Sequence, residues 1–218
     1  MGVFQLNRRL VNPGKRPWGK KEVGKKAMLL RVFFQHRYSS LNDYDQALID
    51  FLEDMRAEVD YANEVPDITF EDYDILIIGA PGDSWVENHP EESRIQAAQC
   101  HVISFCRGVS RNTLNLASSS GSSTVTDFIL VNSHDHFTTE VGGDINCGPS
   151  LSTQRISSLS GDASLVYHRD GGSSDAGFAY RKPQEDQYYI HFGYHGIHQA
   201  TDELKELLAN TLIYLGEV

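Results

Sequence analysis

Short apolar segments recur along the chain between more polar stretches, and most of them have the length of a β-strand. Residues 74–80 (DILIIGA) are apolar on both faces, which is typical of an interior strand of a parallel sheet. The apolar pattern predicts strands at residues 28–34, 58–62, 74–80, 101–106 and 127–132.

Two segments instead have the spacing of an amphipathic helix. The first follows Asn42, a typical N-cap residue, and its apolar stripe consists of Leu48, Phe51, Leu52 and Met55. The second follows Thr201, another capping residue, and ends at Gly216, where glycine commonly stops a helix. Its apolar face consists of Leu204, Leu207, Leu208, Leu212 and Leu215.

The stretch from residue 118 to residue 175 is rich in Ser, Gly, Thr and Asp, and its apolar pattern is weak. It predicts long loops with short strands, for example at residues 164–168. Residues 177–182 and 187–193 are predicted to pair as a hairpin across residues 183–186.

Strands that alternate with helical patterns favour an α/β fold in which a mostly parallel, doubly wound sheet carries helices on both faces. Residues 28–218 form this predicted domain, and its order of elements is flavodoxin-like. Residues 1–27 form a separate basic arm, which Pro and Gly should keep extended.

The arm stands out by its charge. Residues 1–26 hold eight Lys and Arg against Glu22 alone, although the whole chain has a formal net charge of −11. An extended cationic segment is typical of docking, so we expect the arm to bind protein subunits of a larger assembly or a sister subunit. The residues expected to contact this partner are Arg8, Arg9, Lys15, Arg16, Trp18, Lys20 and Lys21.

Other partner classes fit less well. An acidic body repels phosphate, so nucleic acid is expected only at the arm. No apolar run approaches the ~20 residues of a membrane helix, and residues 1–26 lack the apolar core of a secretory signal. The three cysteines are odd in number and form no CxxC pair, which favours reduced thiols. We therefore expect an intracellular or virion protein.

Two strand ends carry a recognisable pattern. Residues 74–82 end in Gly79-Ala80-Pro81-Gly82, and residues 102–108 read VISFCRG. Both resemble class I glutamine amidotransferases, in which the first loop supplies N–H groups to an oxyanion and a G-x-C-x-G turn holds the nucleophile. The resemblance implies that Cys106 is the nucleophile and that Gly79, Ala80 and Gly82 form the oxyanion or ligand loop. Ser104 replaces the first glycine of the turn, and Gly108 matches the last.

The resemblance also implies a His-x-Glu near the end of the domain that activates the cysteine. His191 and His195 are the candidates, with His195 preferred as the base, but neither has Glu two residues later. The terminal strand, the His- and Gly-rich turn and the last helix are also similar to the looser trehalose-utilisation-type proteins, many of which lack a working triad.

Simpler interpretations remain open for these residues. Cys106 could be a buried core residue, because unpaired cysteines are often buried and inert. His134 and His136 are weak candidates for metal ligands, with Asp135 or His36 completing the site. No cofactor is predicted, since neither GxGxxG nor GxxxxGK[ST] is present.

Three functions follow from these features. The basic arm and the incomplete triad favour a non-catalytic structural or assembly subunit, for example of a viral particle, built on an amidotransferase-like domain. The first alternative is a cysteine-dependent hydrolase or amidotransferase-type enzyme that uses Cys106 and His195. The second is a small-molecule or carbohydrate-binding module that uses Tyr188, Tyr189 and Tyr194.

Overall fold

The computed structural model of the chain describes residues 30–36, 40–68, 72–79, 89–169, 175–194 and 196–218. The predicted arm, residues 1–27, lies outside these ranges.

The described residues form one nine-stranded sheet with helices on both faces. Its strands are β1 (Arg31–Gln35), β2 (Glu58–Ala62), β3 (Ile75–Ile78), β4 (His101–Ser104), β5 (Ala117–Leu130), β6 (Ile145–Leu159), β7 (Ser164–Arg169), β8 (Asp175–Gln184) and β9 (Gln187–Phe192). The α-helices are α1 (Asp43–Asp54), α2 (Glu92–Ala97) and α3 (Asp202–Leu215). A π-helical turn at Val109–Thr113, here called the elbow helix, follows β4, and a 3₁₀ turn at Ile197–Gln199 precedes α3.

The sheet has a parallel part and an antiparallel part. Its strand order is β2-β1-β3-β4-β9-β8-β6-β5-β7, and the first five strands in this order are parallel. In register, Ile78 of β3 lies beside Ser104 of β4, which lies beside His191 of β9. The C-terminal ends of β1, β3, β4 and β9 therefore meet at one side of the sheet, here called the carboxyl edge.

Two apolar cores lie on opposite faces of the sheet. Ile75 and Ile77 of β3 pack into the core that α1 and α3 cover, whereas Leu76 and Ile78 pack into the core that α2 and the elbow helix cover. Strand β3 thus buries every side chain, as its continuous apolar run predicts. The predicted doubly wound α/β architecture is confirmed.

The capping residues act as the sequence predicts. The Asn42 side chain accepts hydrogen bonds from the N–H groups of Tyr44 and Asp45 at 2.9 Å, which starts α1. The Thr201 hydroxyl accepts one from Leu204 at the start of α3, and Gly216 ends that helix. Both predicted helices are present.

The prediction of long loops over residues 118–175 is wrong for most of that stretch. β5 and β6 are long antiparallel partners, in register from Ala117 opposite Leu159 to Val125 opposite Leu151. Their Ser-, Gly- and Thr-rich sequences lack the apolar alternation of a half-buried strand, so backbone pairing identifies them better than pattern does. The short strand at β7 and the β8–β9 hairpin are present as predicted.

No helix within the described ranges is long and apolar enough to cross a membrane.

Candidate active site

The predicted catalytic motif lies at the carboxyl edge. Gly79 follows β3 and Cys106 follows β4, so the two come from neighbouring parallel strands. Ala80, Gly82 and His195 are outside the described residues, but β9, the other neighbour of β4, ends three residues before His195. The sheet order therefore brings the ends of the three predicted segments to the same edge.

The backbone around Cys106 is a strand-to-helix turn. The Phe105 N–H still pairs with the Ile78 oxygen of β3 at 3.0 Å, but the Cys106 carbonyl already accepts the Ser110 N–H at 3.0 Å. Strand pairing and helix therefore meet at Cys106, whose side chain is buried at 2% exposure. The backbone makes the strand-to-helix turn that the elbow motif predicts, but the Cys106 side chain packs into the apolar core that α2 and the elbow helix cover.

Ser104 stabilises the turn with its side chain. Its hydroxyl donates to the Cys106 carbonyl at 2.9 Å and accepts the Cys106 N–H at 3.1 Å. A glycine at this position, as in the motif of the amidotransferases, could make neither bond. The serine therefore contributes hydrogen bonds that fix both ends of the Cys106 residue.

A buried serine–histidine pair lies next to the turn, on the same face of the sheet. Ser110 of the elbow helix and His191 of β9 are both fully buried, and Ser110 Oγ lies 2.9 Å from His191 Nδ1. His191 Nε2 lies 3.3 Å from the backbone oxygen of Gln154 in β6. Burial lowers the pKa of His191 to about 4, so the ring is neutral at pH 7.

These contacts show where the His191 ring lies. The sequence offered His191 as an alternative to His195 for the catalytic base, but its ring is enclosed between the elbow helix and β6 and does not face the carboxyl edge. Ser110 and Gln154 were not recognised from the sequence. The only sequence signal for Ser110 is its position just after the elbow motif.

A second buried histidine, His89, contacts the end of β1, which neighbours β3 on the side away from β4. His89 Nδ1 accepts the Glu91 N–H at 3.0 Å, which leaves its Nε2–H to donate to Gln35 Oε1 at 3.1 Å. The backbone of Gln35 in turn accepts the Gly79 N–H at 3.0 Å. Burial lowers the pKa of His89 to about 4. Both Gly79 and His89 are thus held by Gln35 at the end of β1, a connection that the sequence does not indicate.

The weak metal candidates lie at the opposite edge. β5 runs antiparallel to β6, so residues 132–136 follow the end of β5 away from Cys106. His134 stacks on Phe137 at 3.9 Å, and His136 stacks on Tyr214 at 4.2 Å. Because His36 follows β1 at the carboxyl edge, it cannot complete a site with them. Among the described residues no group of three His, Cys, Asp or Glu side chains could hold a metal ion.

The tyrosines proposed for carbohydrate binding lie in the core, and the expected partner-binding residues are not described by the structure. Tyr188, Tyr189 and Tyr194 are buried at 4%, 7% and 0% exposure, so their rings offer no open face for stacking on a sugar. The expected partner-binding residues all lie outside the described residues: Arg8, Arg9, Lys15, Arg16, Trp18, Lys20 and Lys21.

All three cysteines are described, all are buried, and none forms a disulfide. Burial raises the pKa of the Cys100 thiol to about 12, so this residue is a protonated core side chain at neutral pH.

No family model matches the sequence, and no curated protein sequence matches it. Solved structures do match. A GMP synthase-type protein from Thermoplasma acidophilum superposes with a TM-score of 0.63 at 10% identity, over 87% of this chain and 94% of that one. A glutamine amidotransferase from Thermotoga maritima gives a TM-score of 0.51 at 11% identity, over 87% of this chain and 99% of that one.

A third match is a larger enzyme. α-L-Fucosidase isoenzyme 2 from Paenibacillus thiaminolyticus gives a TM-score of 0.56 at 16% identity, over 86% of this chain but only 33% of its own. At these identities each likeness is one of fold.

The comparisons correct the function favoured from the sequence. The assembly subunit favoured from the sequence, for example of a viral particle, is contradicted by the structural neighbours: one is named as a GMP synthase subunit and another as a glutamine amidotransferase. The basic arm, on which that hypothesis depended, lies outside the described residues. The fold of this chain is that of the glutamine amidotransferase-like proteins.

Proposed function

We propose that this chain is a cysteine-dependent hydrolase or amidotransferase-type enzyme, with Cys106 as nucleophile and His195 as its base. The observation that carries the proposal is the place of Cys106, at a strand-to-helix turn on the carboxyl edge beside the strand that leads to His195. Ligands of parallel α/β sheets bind at this edge.

The proposed chemistry is acyl transfer from a carboxamide. His195 takes the proton of the Cys106 thiol as the sulfur forms a C–S bond to the amide carbon, and the resulting oxyanion is stabilised by the backbone N–H groups of Ala80 and Gly82. The C–N bond then breaks as His195 passes that proton to the departing ammonia. Water, deprotonated by His195, attacks the thioester, the C–S bond breaks, and the carboxylic acid leaves as the proton returns to the Cys106 sulfur. The name of the Thermotoga neighbour supports glutamine as the first substrate to test.

The absent glutamate sets an expectation for the rate. Position 197 holds Ile197, which is buried in the apolar core, so no carboxylate orients His195 from there. Loss of the orienting acid lowers kcat by about 10⁴ in the serine-protease triad. We therefore propose a slow enzyme whose turnover falls well below that of a complete Cys-His-Glu site.

The finer resemblance to trehalose-utilisation-type proteins belongs to the same proposal. It is supported by the order of β9, the Gly193–Tyr194 turn and α3 at the end of the domain. It implies substrates other than glutamine, so a panel of carboxamides and esters should accompany glutamine in the assay.

Alkylation by iodoacetamide at neutral pH tests the nucleophile directly. We expect Cys106 to react faster than a free thiol, because an activated cysteine is held as thiolate. Peptide mass spectrometry separates Cys106 from Cys100, which precedes β4 at the opposite edge of the sheet, and from Cys147, which packs into the core on the other face of the sheet. Neither lies at the strand-to-helix turn, so both serve as internal controls. Ammonia release from glutamine should accompany this reactivity and disappear in Cys106→Ala. A Cys106 that reacts no faster than a free thiol would remove the basis of the proposal.

A further inference from the structure

A continuous set of buried hydrogen bonds runs beneath the proposed nucleophile. The backbone oxygen of Gln154 can only accept, so His191 Nε2 carries the proton and Nδ1 is the acceptor. The Ser110 hydroxyl therefore donates to Nδ1 at 2.9 Å. The Ser110 N–H donates to the carbonyl of Cys106. The Ser104 hydroxyl donates to the same carbonyl and accepts the Cys106 N–H, which completes the set.

This set joins three separate elements of the fold. Ser110 belongs to the elbow helix, His191 to β9 and Gln154 to β6. β9 continues through Gly193 towards His195. One imidazole thus links the turn that holds the nucleophile to the strand that leads to the base.

Packing alone does not explain the pair. Burying a hydroxyl and an imidazole costs free energy that an apolar pair of similar volume would avoid, unless their polar atoms are all satisfied. Here the Ser110 hydroxyl and both ring nitrogens have partners. Directional bonds of this kind fix a unique arrangement, which apolar contacts do less well.

We propose that Ser110 and His191 are positioning residues that hold the thiol of Cys106 in its reactive orientation. This inference rests on the proposed function, in which Cys106 is the nucleophile. Neither residue touches a substrate, since both are fully buried. Their effect passes through the backbone of the turn.

The experiment compares native-state alkylation of Cys106 by iodoacetamide in the full chain and four variants. His191→Phe keeps a ring but removes both hydrogen bonds, and Ser110→Ala removes the donor with little change in volume. The double variant tests coupling. His191→Gln is the conservative rescue, because its amide offers one acceptor and one donor, as the neutral imidazole does. Cys100 and Cys147 report opening of the fold in every sample.

We expect His191→Phe and Ser110→Ala each to lower the Cys106 alkylation rate by about tenfold, since small displacements of reacting groups cost this much or more. The double variant should lose no more than either single variant, because both break the same connection. His191→Gln should restore most of the rate. In all of them Cys100 and Cys147 should stay protected, which excludes unfolding as the cause.

Unchanged Cys106 reactivity in Ser110→Ala, with Cys100 and Cys147 protected, would overturn the inference while the fast wild-type rate left the proposed function standing. A wild-type Cys106 that is no faster than a free thiol would instead overturn both. If His191→Phe exposes Cys100, Ser110→Ala and His191→Gln decide the question, because they alter the core least.

Discussion

Gly193, the first residue after β9, packs its backbone tightly against the backbones of β8 and β6. Its N–H donates to Gly177 of β8 at 2.7 Å, and its carbonyl accepts from Gln154 of β6 at 2.8 Å. A Cβ on Gly193 would overlap the Gln154 backbone oxygen and would lie 3.3 Å from His191 Nε2. Only glycine fits here, and the close fit sets the path of the backbone from β9 into Tyr194.

Gly193→Ala should therefore lower the free energy of unfolding by about 1–3 kcal/mol, the usual cost of overpacking a close contact. Urea denaturation at pH 7 measures the change. Gly161→Ala is the matched control, because nothing lies within 4 Å of its added Cβ. We expect the control to change stability by less than about 0.5 kcal/mol. Equal effects in the two variants would contradict the close-contact argument.

At the level of residues, the sequence identified Cys106, Ser104 and Gly79 because a motif joins them to a strand end. It could not identify the Ser110–His191 pair, whose members lie 81 residues apart. That contact depends on β4 and β9 being neighbours in the sheet, and no local pattern encodes the order of strands.

Among the elements, the antiparallel part of the sheet is tied together by an ion cluster around buried Asp175, in which the Arg155 side chain is 32% exposed. Asp175 of β8 accepts hydrogen bonds from Arg155 of β6 and Arg169 of β7, both at 2.6 Å. The side chains of Asp175 and Arg169 are each 10% exposed. Burial alone would raise the pKa of Asp175, but the bonds from the two guanidinium groups outweigh it and hold the pKa below its usual value.

Asp175→Asn leaves the two guanidinium groups without their anion, so we expect a loss of about 3–5 kcal/mol in the free energy of unfolding. Asp162→Asn is the control: its ion pair with Arg181 spans 3.5 Å, and the Asp162 side chain is 57% exposed. Pairs of that kind contribute less than about 1 kcal/mol. Urea denaturation of the two variants compares them, and similar losses would show that the cluster does not secure β6, β7 and β8.

Elements with a clear apolar period or a capping residue could be predicted from the sequence. The bounds of β2 match, and both predicted helices start after their caps. β5 and β6 could not be predicted, because Ser- and Gly-rich segments that pair through their backbones leave little trace in the pattern of apolar residues. Their pairing extends the parallel sheet into the larger one.

At the scale of the whole molecule, burial of histidines makes stability depend on acid. Burial lowers the pKa of His89, His101 and His191 to about 4 from an ordinary value of 6.5. Between pH 6.5 and pH 4 these histidines bind protons in the unfolded chain but not in the folded chain. The contribution of the three histidines to stability is therefore complete above pH 6.5 and is lost as the pH falls towards 4.

Asp45 acts in the opposite direction. Burial raises its pKa from 3.8 to about 6, although a hydrogen bond from the Asn42 backbone N–H partly opposes the shift. The folded chain holds this proton between the two values, so its contribution is complete below pH 3.8 and is lost as the pH rises through 6. Near pH 5 the three buried histidines thus take up protons on unfolding, whereas Asp45 releases one.

The free energy of unfolding should consequently fall as the pH drops from 6.5 towards 5, by on the order of 1–3 kcal/mol per pH unit, since each net proton taken up on unfolding contributes about 1.4 kcal/mol per unit. Urea denaturation at half-unit steps from pH 7 to pH 4.5 measures it. His101→Gln should reduce this slope by about one proton, and Asp45→Asn should increase it by about one. The two variants must change the slope in opposite directions. Folding lowers the pKa of His101, so His101 takes up a proton on unfolding, whereas folding raises the pKa of Asp45, so Asp45 releases one. A slope that neither variant alters would mean that these buried groups do not control the acid sensitivity of the fold.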